Sequence, residues 1–345
     1  MDRPSNWGAP GLIHAWRLRE GALESAGYTA FRDATTLMRD TRPILIAGPT
    51  ASGKSALALA LAEHLGGVVI NADSMQVYSE LRILTARPAI EDERRAPHAL
   101  YGFVPAREAY STGRYVTDAK TALDAARAQG LRPIVVGGTG LYFKALLEGL
   151  SPVPPVDAGV RAYWRAEAGR LGAEVLHAVL ASRDAEMASR LKSADTQRIV
   201  RALEVLEGSG RSLAYWQNQP GEPVIDGASA VCLLMLPDRA TLHARADARF
   251  ARMVEDGALD EAVRLQALQL DTELPAMRAI GVAPMMAAAR GTITLANAIA
   301  QGQAETRQYV KRQETWLRRN MISWNDVFKQ EIEKSIASAI TFIQT

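Results

Sequence analysis

Three groups of residues in this 345-residue chain combine the types and spacing that phosphate chemistry needs. The first is Gly48-Pro49-Thr50-Ala51-Ser52-Gly53-Lys54-Ser55, which fits G-x-x-x-x-G-K-[ST]. Apolar Ile44–Ala47 leads into it, and an alanine- and leucine-rich run follows and stops at Gly66-Gly67. Strand, glycine loop and helix in that order make the motif specific for a bound phosphate. Backbone N–H groups of Ala51 to Ser55 are expected around that phosphate, at the positive end of the helix. Lys54 adds a point charge, and the Ser55 hydroxyl suits Mg²⁺. The second group is Asp73-Ser74-Met75-Gln76, after "GVVINA". The third is Gly137-Gly138-Thr139-Gly140, after "RPIVV". In a doubly wound sheet the carboxyl ends of these strands share one crevice, so Asp73 and Thr139 should approach whatever the loop holds. A carboxylate there is either a metal ligand or a general base, and position alone does not choose. A triphosphatase normally carries a further acid at a strand end, yet "RPIVV" ends in glycine.

The elements that must position these groups are legible as apolar runs. Residues 44–47, 67–73, 132–138 and 230–236 read as buried parallel strands, each of the first three followed by a helical pattern. That alternation implies an α/β sheet covered on both faces. A proline-rich break, "SPVPPVD" at 151–157, precedes a stretch with helical character from 158 to 207, which closes in "EGSGRS" and "NQPGEP". The organisation expected is an N-terminal extension at 1–40, a first part of the core at 41–155, a helical insertion at 156–218, a second core part with basic helices at 219–325, and a tail at 326–345. Met38, just before the first strand, is a candidate start of translation.

Charge and cysteine content limit the classes of partner. Forty basic and 38 acidic side chains leave a net +2, so a polyanion must be met by local patches. The single cysteine, Cys232 in "AVCLLML", is expected in the core and excludes an internal disulfide or a cysteine zinc cluster. No apolar run is long enough to span a bilayer, and the first residues lack a secretory h-region. These features point to a reducing cytosol.

The segments "AGPTASGKS", "NADSMQVY", "TARP", "APHALYGFV", "YSTGRY" and "VGGTGLYFKALLEGL" together resemble the tRNA dimethylallyltransferases, also called tRNA isopentenyltransferases, of bacterial type. "ADTQRIVRALEV", "HARADARFARMVEDG" and "TRQYVKRQETWLRR" continue the resemblance in the family's order, from about Pro43 to Trp324. It implies a P-loop, nucleotide-kinase-like parallel sheet core with a helical insertion domain. It also implies that the loop binds dimethylallyl diphosphate with Mg²⁺, and that the prenyl group passes to N6 of the adenine 3′-adjacent to the anticodon. By this resemblance Asp73 is the general base, Lys54 and Arg249 meet the diphosphate, and Thr139 lies near its bridging oxygen. The implied tRNA contacts are Asp73, Ser74, Met75, Gln76 and Thr139; Arg161, Gln197, Arg198, Ile199, Val200 and Arg201 in the insertion; and Arg278, Lys311, Arg312, Gln313, Trp316 and Arg318. Gln197 and Arg201 are one helical turn apart and can face an RNA together. The partners implied are the tRNA anticodon stem-loop and the prenyl donor, met by a monomer with no membrane. "MRAIGVAPM" departs from the family, with Val282 and Pro284 removing polar groups expected near the RNA.

Three other readings share parts of this pattern. A small-molecule P-loop kinase would need no RNA and would normally show the missing strand-end acid. A nucleotide-gated RNA-binding protein would leave the adenine unmodified and has no use for Asp73. An adenylate isopentenyltransferase acting on free nucleotide should lack "QRIVR" and the basic C-terminal helix, and both are present.

Overall fold

The computed structural model describes residues 40–344, so the extension expected at 1–40 lies, but for Asp40, outside the described residues. The chain begins with β1 (Ile44–Ala47), α1 (Lys54–Leu65), β2 (Gly67–Asn71), α2 (Ile90–Arg95), β3 (His98–Ala99), α3 (Thr112–Ala128), β4 (Arg132–Gly137) and α4 (Gly140–Glu148). After the insertion come β5 (Val231–Leu234) and β6 (Asn325–Asp326), and the sheet order is β3-β2-β4-β1-β5-β6 with all pairs parallel. The four strands expected from the apolar runs are all present, each ending at or within the expected bounds. Short edge strands β3 and β6 go beyond the expectation, because "HA" and "ND" carry no apolar run. Ile44, Ile46, Ile134 and Leu233 pack with Leu57 and Leu61 of α1 in the main core. Cys232 is half-buried on β5 rather than a core residue, and burial pushes its thiol up to about 11.

The C-terminal segment corrects the expectation of a tail at 326–345. Residues Ile332–Gln344 form a helix, called α14 below, whose Ile332, Ile336, Ile340, Ala339 and Ile343 pack on the sheet core. The spacing of those isoleucines is an amphipathic stripe facing one side.

The described residues fall into two compact units, 40–144 with 225–344, and Ala145–Val224. The second unit is broader than the expected 156–218, because its closure lies further out: Val224 N–H donates to the Leu146 carbonyl at 2.9 Å. Gly149, at φ +78°, passes so near Glu222 that a Cβ would sit 2.4 Å from its backbone nitrogen. The unit contains α5 (Ala158–Leu171), α6 (Ala173–Arg183), α7 (Ala185–Arg190), α8 (Thr196–Ser209) and α9 (Leu213–Gln217). Trp164, Leu176, Leu180, Ile199 and Leu203 form its separate core. Asp157, Asp184, Asp195 and Ser212 cap α5, α7, α8 and α9 by accepting backbone N–H bonds.

Beyond β5 the chain forms α10 (Arg239–Glu255), α11 (Ala258–Ala267), a 3₁₀ turn (Pro275–Arg278), α12 (Val282–Ala289) and the long α13 (Leu295–Asn320). Val282 and Pro284 are buried in α12, so they are packing residues rather than gaps in an RNA-facing surface. Helix α13 reaches the carboxyl ends of the central strands through Gln313. Its Oε1 accepts from the Thr50 N–H at 2.9 Å, and its Nε2 donates to the Gly138 carbonyl at 3.0 Å. A Cβ on Gly138 would lie 2.2 Å from that Nε2, which is why the close approach needs glycine.

Gln313 is 5% exposed, so its two partners have no water to replace it. Gln313→Ala should therefore destabilise the fold by about 1–3 kcal/mol for each backbone group left unpaired. Urea denaturation reads this as a lowered midpoint; an unaltered midpoint would show that the bridge holds nothing.

Candidate active site

The glycine loop takes its shape from a few backbone constraints. Gly48 N–H donates to the Gly137 carbonyl, Ser52 N–H to Pro49, and Leu57 N–H to Gly53. Ala51 at φ +66° and Gly53 at φ +92° turn the chain through the left-handed region just before α1. Gly53 caps that helix without any side-chain bond, which leaves the first-turn N–H groups directed at the loop. The Ser52 hydroxyl is buried with no partner. Lys54 Nζ donates to the Pro49 carbonyl at 3.2 Å, folding the ammonium back over the loop. Burial pushes Lys54 down to about 8; the Asp73 charge opposes this and the Arg249 charge adds to it.

Asp73 is set by its neighbours on the β2 exit. Fully buried Asn71 accepts from the Asp73 N–H at 2.8 Å and donates to the Asp73 and Leu100 carbonyls at 2.9 and 3.0 Å. The Asp73 carboxylate accepts from the Met75 N–H at 2.9 Å, which fixes its direction. Thr139 joins this segment to the β4 exit: its hydroxyl oxygen accepts from the Ser74 N–H at 3.0 Å and donates to Ser74 Oγ at 3.3 Å. Tyr309 on α13 is hydrogen-bonded to Thr139 and Gln313; burial and then the Asp73 charge raise its pKa, so it is neutral at physiological pH. Arg249 on α10 is half-buried, and desolvation lowers its pKa against the attraction of Asp73.

A cavity of about 220 Å³ lies between these elements. Polar Thr50, Asp73, Ser74, Arg249, Arg278, Tyr309 and Arg312 line it together with apolar Leu84, Ala246, Phe250, Met253 and Ile280. Three arginines and a carboxylate thus share one cavity with apolar side chains, beside the Lys54 loop. That arrangement suits a ligand with an anionic head and a small hydrocarbon body, held beside a base. For Mg²⁺, the Ser55 hydroxyl is exposed on the first turn of α1, and Asp73 is the acid whose charge acts on the adjacent Lys54. No cluster of three or more His, Cys, Asp or Glu among the described residues would hold a metal alone. Hard oxygen donors in such small number fit a cation that arrives with phosphate oxygens and keeps its waters.

The residues expected at tRNA are placed in several different ways. Lys311, Arg312 and Trp316 line a shallow groove of about 570 Å³ on the outer side of α13, together with Gln308, Thr315, Arg319 and Asn320. Arg318 is exposed and bonds Glu314 at 3.2 Å. Arg278 is exposed, pairs with Glu273 and also lines the cavity. Gln76 spends its amide on the Thr85 and Ala86 carbonyls, both at 2.9 Å. Gln313 is turned inward, as described above. In the helical unit Gln197 is exposed, Arg198 pairs with Asp195, Arg201 lies 3.4 Å from Glu204, and Arg161 donates to the Val156 carbonyl at 2.9 Å. Ile199 and Val200 differ from expectation: both are buried in the unit's core, so their side chains present nothing to an RNA. Tyr309, Phe250 and Asn71 are site residues that the sequence alone does not single out. Tyr309 has one signal, a place on the same α13 face as Thr306, Gln313 and Trp316.

The comparisons with known proteins converge on one family. The family described as "IPP transferase" matches residues 76–320, and "Isopentenyl transferase" matches residues 42–97. The protein named tRNA dimethylallyltransferase from Parvibaculum lavamentivorans is 52% identical over 302 residues, covering 88% of this chain and 96% of its own. Its counterpart in Methylobacterium nodulans is 56% identical over 279 residues, covering 80% and 91%. Among solved structures, the Bacillus halodurans tRNA isopentenylpyrophosphate transferase superposes with a TM-score of 0.64 at 29% identity, covering 88% of this chain and 96% of that one. A eukaryotic dimethylallyltransferase acting on tRNA superposes at 0.74 with 26% identity, covering 88% and 79%. With the parallel sheet, the glycine loop and Asp73 beside it all in place, this chain belongs to the tRNA dimethylallyltransferase family.

Proposed function

We propose that the chain transfers a dimethylallyl group from dimethylallyl diphosphate to N6 of the adenine 3′-adjacent to the anticodon of tRNA. The observation that carries this is the oriented Asp73 carboxylate in the same cavity as Arg249 and several apolar side chains, next to the Lys54 loop. The adenine amine attacks the allylic carbon, the carbon–oxygen bond breaks, and diphosphate leaves with the bonding electrons. Asp73 takes the amine proton, which offsets the weak nucleophilicity of an amine conjugated to a ring; such catalysis is typically worth about 10²–10⁴-fold. Lys54, Arg249 and the loop amides meet charge growing on the leaving oxygens. Mg²⁺, bound with the diphosphate near Ser55, would supply further neutralisation of that charge. Thr139, held by Ser74 and Tyr309, would turn its hydroxyl to the leaving oxygen once the diphosphate is bound.

The base must leave its loop to reach Asp73, at a cost of a few kcal/mol that is lowest for unpaired nucleotides. The α13 groove supplies cations and an aromatic ring suited to phosphates and bases. In the helical unit, Gln197 with Arg198 and Arg201 forms an exposed-to-half-buried polar group suited to the same RNA. The kinase alternative is weakened by the apolar side chains Leu84, Ala246, Phe250, Met253 and Ile280 in the cavity, which a polar phosphoryl acceptor has no need of. Free adenylate as the acceptor would leave the α13 groove without a role. No described helix is long and apolar enough to cross a membrane.

The direct test is incubation with labelled dimethylallyl diphosphate, Mg²⁺ and unmodified tRNA, followed by nucleoside mass spectrometry. Prenylated adenosine should form only with tRNA present, whereas ATP-dependent phosphorylation without RNA would establish a kinase. Asp73→Ala should lower the single-turnover rate by about 10²-fold or more while tRNA still binds. A rate near that of the parent would remove Asp73 from the chemistry.

Lys54 gives a pH signature. Its folded pKa of about 8 lies below the ordinary lysine value of 10.5, so the free protein loses this positive charge as pH rises through about 8. Donor kcat/KM should fall across that window, and the fall should be missing in Lys54→Ala, whose kcat/KM is low throughout. A falling limb that survives in Lys54→Ala would assign the titration to another group.

The RNA face is read by salt. Lys311 and Arg319 are exposed on the α13 groove. Replacing both by glutamine should flatten the dependence of tRNA affinity on log[salt] by roughly 0.7–0.9 for each phosphate no longer neutralised, with single-turnover prenylation of saturating tRNA little changed. An unaltered slope with a collapsed rate would place the RNA elsewhere.

A further inference from the structure

A phenylalanine ring lines the cavity next to Arg249. Phe250 lies one residue beyond Arg249 on α10 and is 3% exposed. Two glycines make the slot that holds it. A Cβ on Gly302 of α13 would fall 2.0 Å from the ring, and a Cβ on Gly281, before α12, would fall 2.8 Å from it. Gly281 sits at φ +85°, where a side chain would be strained in any case. The Leu84 side chain closes over the same glycine at 3.0 Å. The ring is therefore seated against bare backbone at two glycines, which leaves it little room to shift.

We infer that Phe250, backed by Gly281 and Gly302, is the residue that limits the prenyl donor to five carbons. This rests on the proposed function and adds the donor's chain length to it. With the diphosphate at Lys54 and Arg249, the hydrocarbon would extend among Ala246, Met253, Ile280 and Phe250, which line the same cavity. A branched five-carbon group ends before the ring. A ten-carbon allylic diphosphate carries the same head and the same reactive carbon, and its second isoprene unit would have to occupy the volume of the ring. Packed interiors yield little to such an intrusion.

Removing the ring should open that volume. A methylene's worth of fit in an apolar pocket changes selectivity by about 10–200-fold, so Phe250→Ala should raise the ratio of kcat/KM for geranyl diphosphate over dimethylallyl diphosphate by about 100-fold, partly by weakening the shorter donor. Phe250→Leu keeps more of the packing volume and should show the same change at about 10-fold. Gly302→Ala should act in the opposite sense: its methyl drives the ring into the cavity and raises the KM for dimethylallyl diphosphate. Each variant is assayed with both donors and unmodified tRNA, and folding is monitored by circular dichroism. If Phe250→Ala fails to fold, the Leu variant carries the test. Wild-type protein that prenylates tRNA, beside folded Phe250 variants with an unaltered donor ratio, would overturn the inference while leaving the proposed function intact. Wild-type protein that uses geranyl diphosphate as well as the shorter donor would overturn it too. Wild-type protein inert toward both donors would overturn the proposed function itself, and this inference with it.

Discussion

Gln313 holds two loops in register with one amide. Its oxygen takes the N–H of Thr50 in the glycine loop, and its nitrogen donates to the carbonyl of Gly138 at the end of β4. The two loops come from different strands, and the amide comes from a helix far along the chain, 175 residues beyond Gly138. Both partners are backbone groups with no solvent to fall back on, so the arrangement is stable only when all the members are present. The adjacent bonds extend from it: Tyr309 reaches Thr139, and Thr139 reaches Ser74 next to Asp73. The position of the carboxylate relative to the loop thus depends on how α13 is seated.

This makes α13 a helix with two duties. Thr306, Tyr309 and Gln313 turn toward the cavity or the loops, while Lys311, Thr315 and Arg319 line the outer groove. A 3.6-residue period separates the two faces within a few positions. Taking "KRQETWLRR" as one RNA-contacting run merges the two faces and so turns Gln313 outward, where the structure has it inward. The same merging places Ile199 and Val200 at the RNA beside Gln197 and Arg198. They are instead buried in α8, in the core of the helical unit.

What is legible in the sequence is local. The glycine loop, its flanking strand and helix, and Asp73 at a strand exit follow from neighbours within a few residues, and these features are found where expected. The strands β3 and β6 are not legible, since two residues without an apolar run pair at a sheet edge only because the sheet is already there. The Gln313 bridge and the Phe250 slot depend on contacts across the fold that no spacing encodes. Helix α14 is legible in principle, since its isoleucines recur at helical spacing, but their burial depends on a sheet face that the rest of the chain builds.

The electrostatics fit a site that waits for an anion. Lys54 and Arg249, both half-buried residues, meet the Asp73 charge there, and desolvation lowers the pKa of both. A diphosphate would restore the charge balance and leave Asp73 directed at the nucleophile. The most direct measurement of this arrangement is a crystal structure with an unreactive thiolo analogue of dimethylallyl diphosphate, Mg²⁺ and an anticodon stem-loop. The account predicts diphosphate oxygens on the Ala51–Ser55 amides, and the flipped adenine's N6 within about 2.6–3.2 Å of the Asp73 carboxylate. An adenine seated away from Asp73, or a diphosphate bound outside the glycine loop, would contradict it.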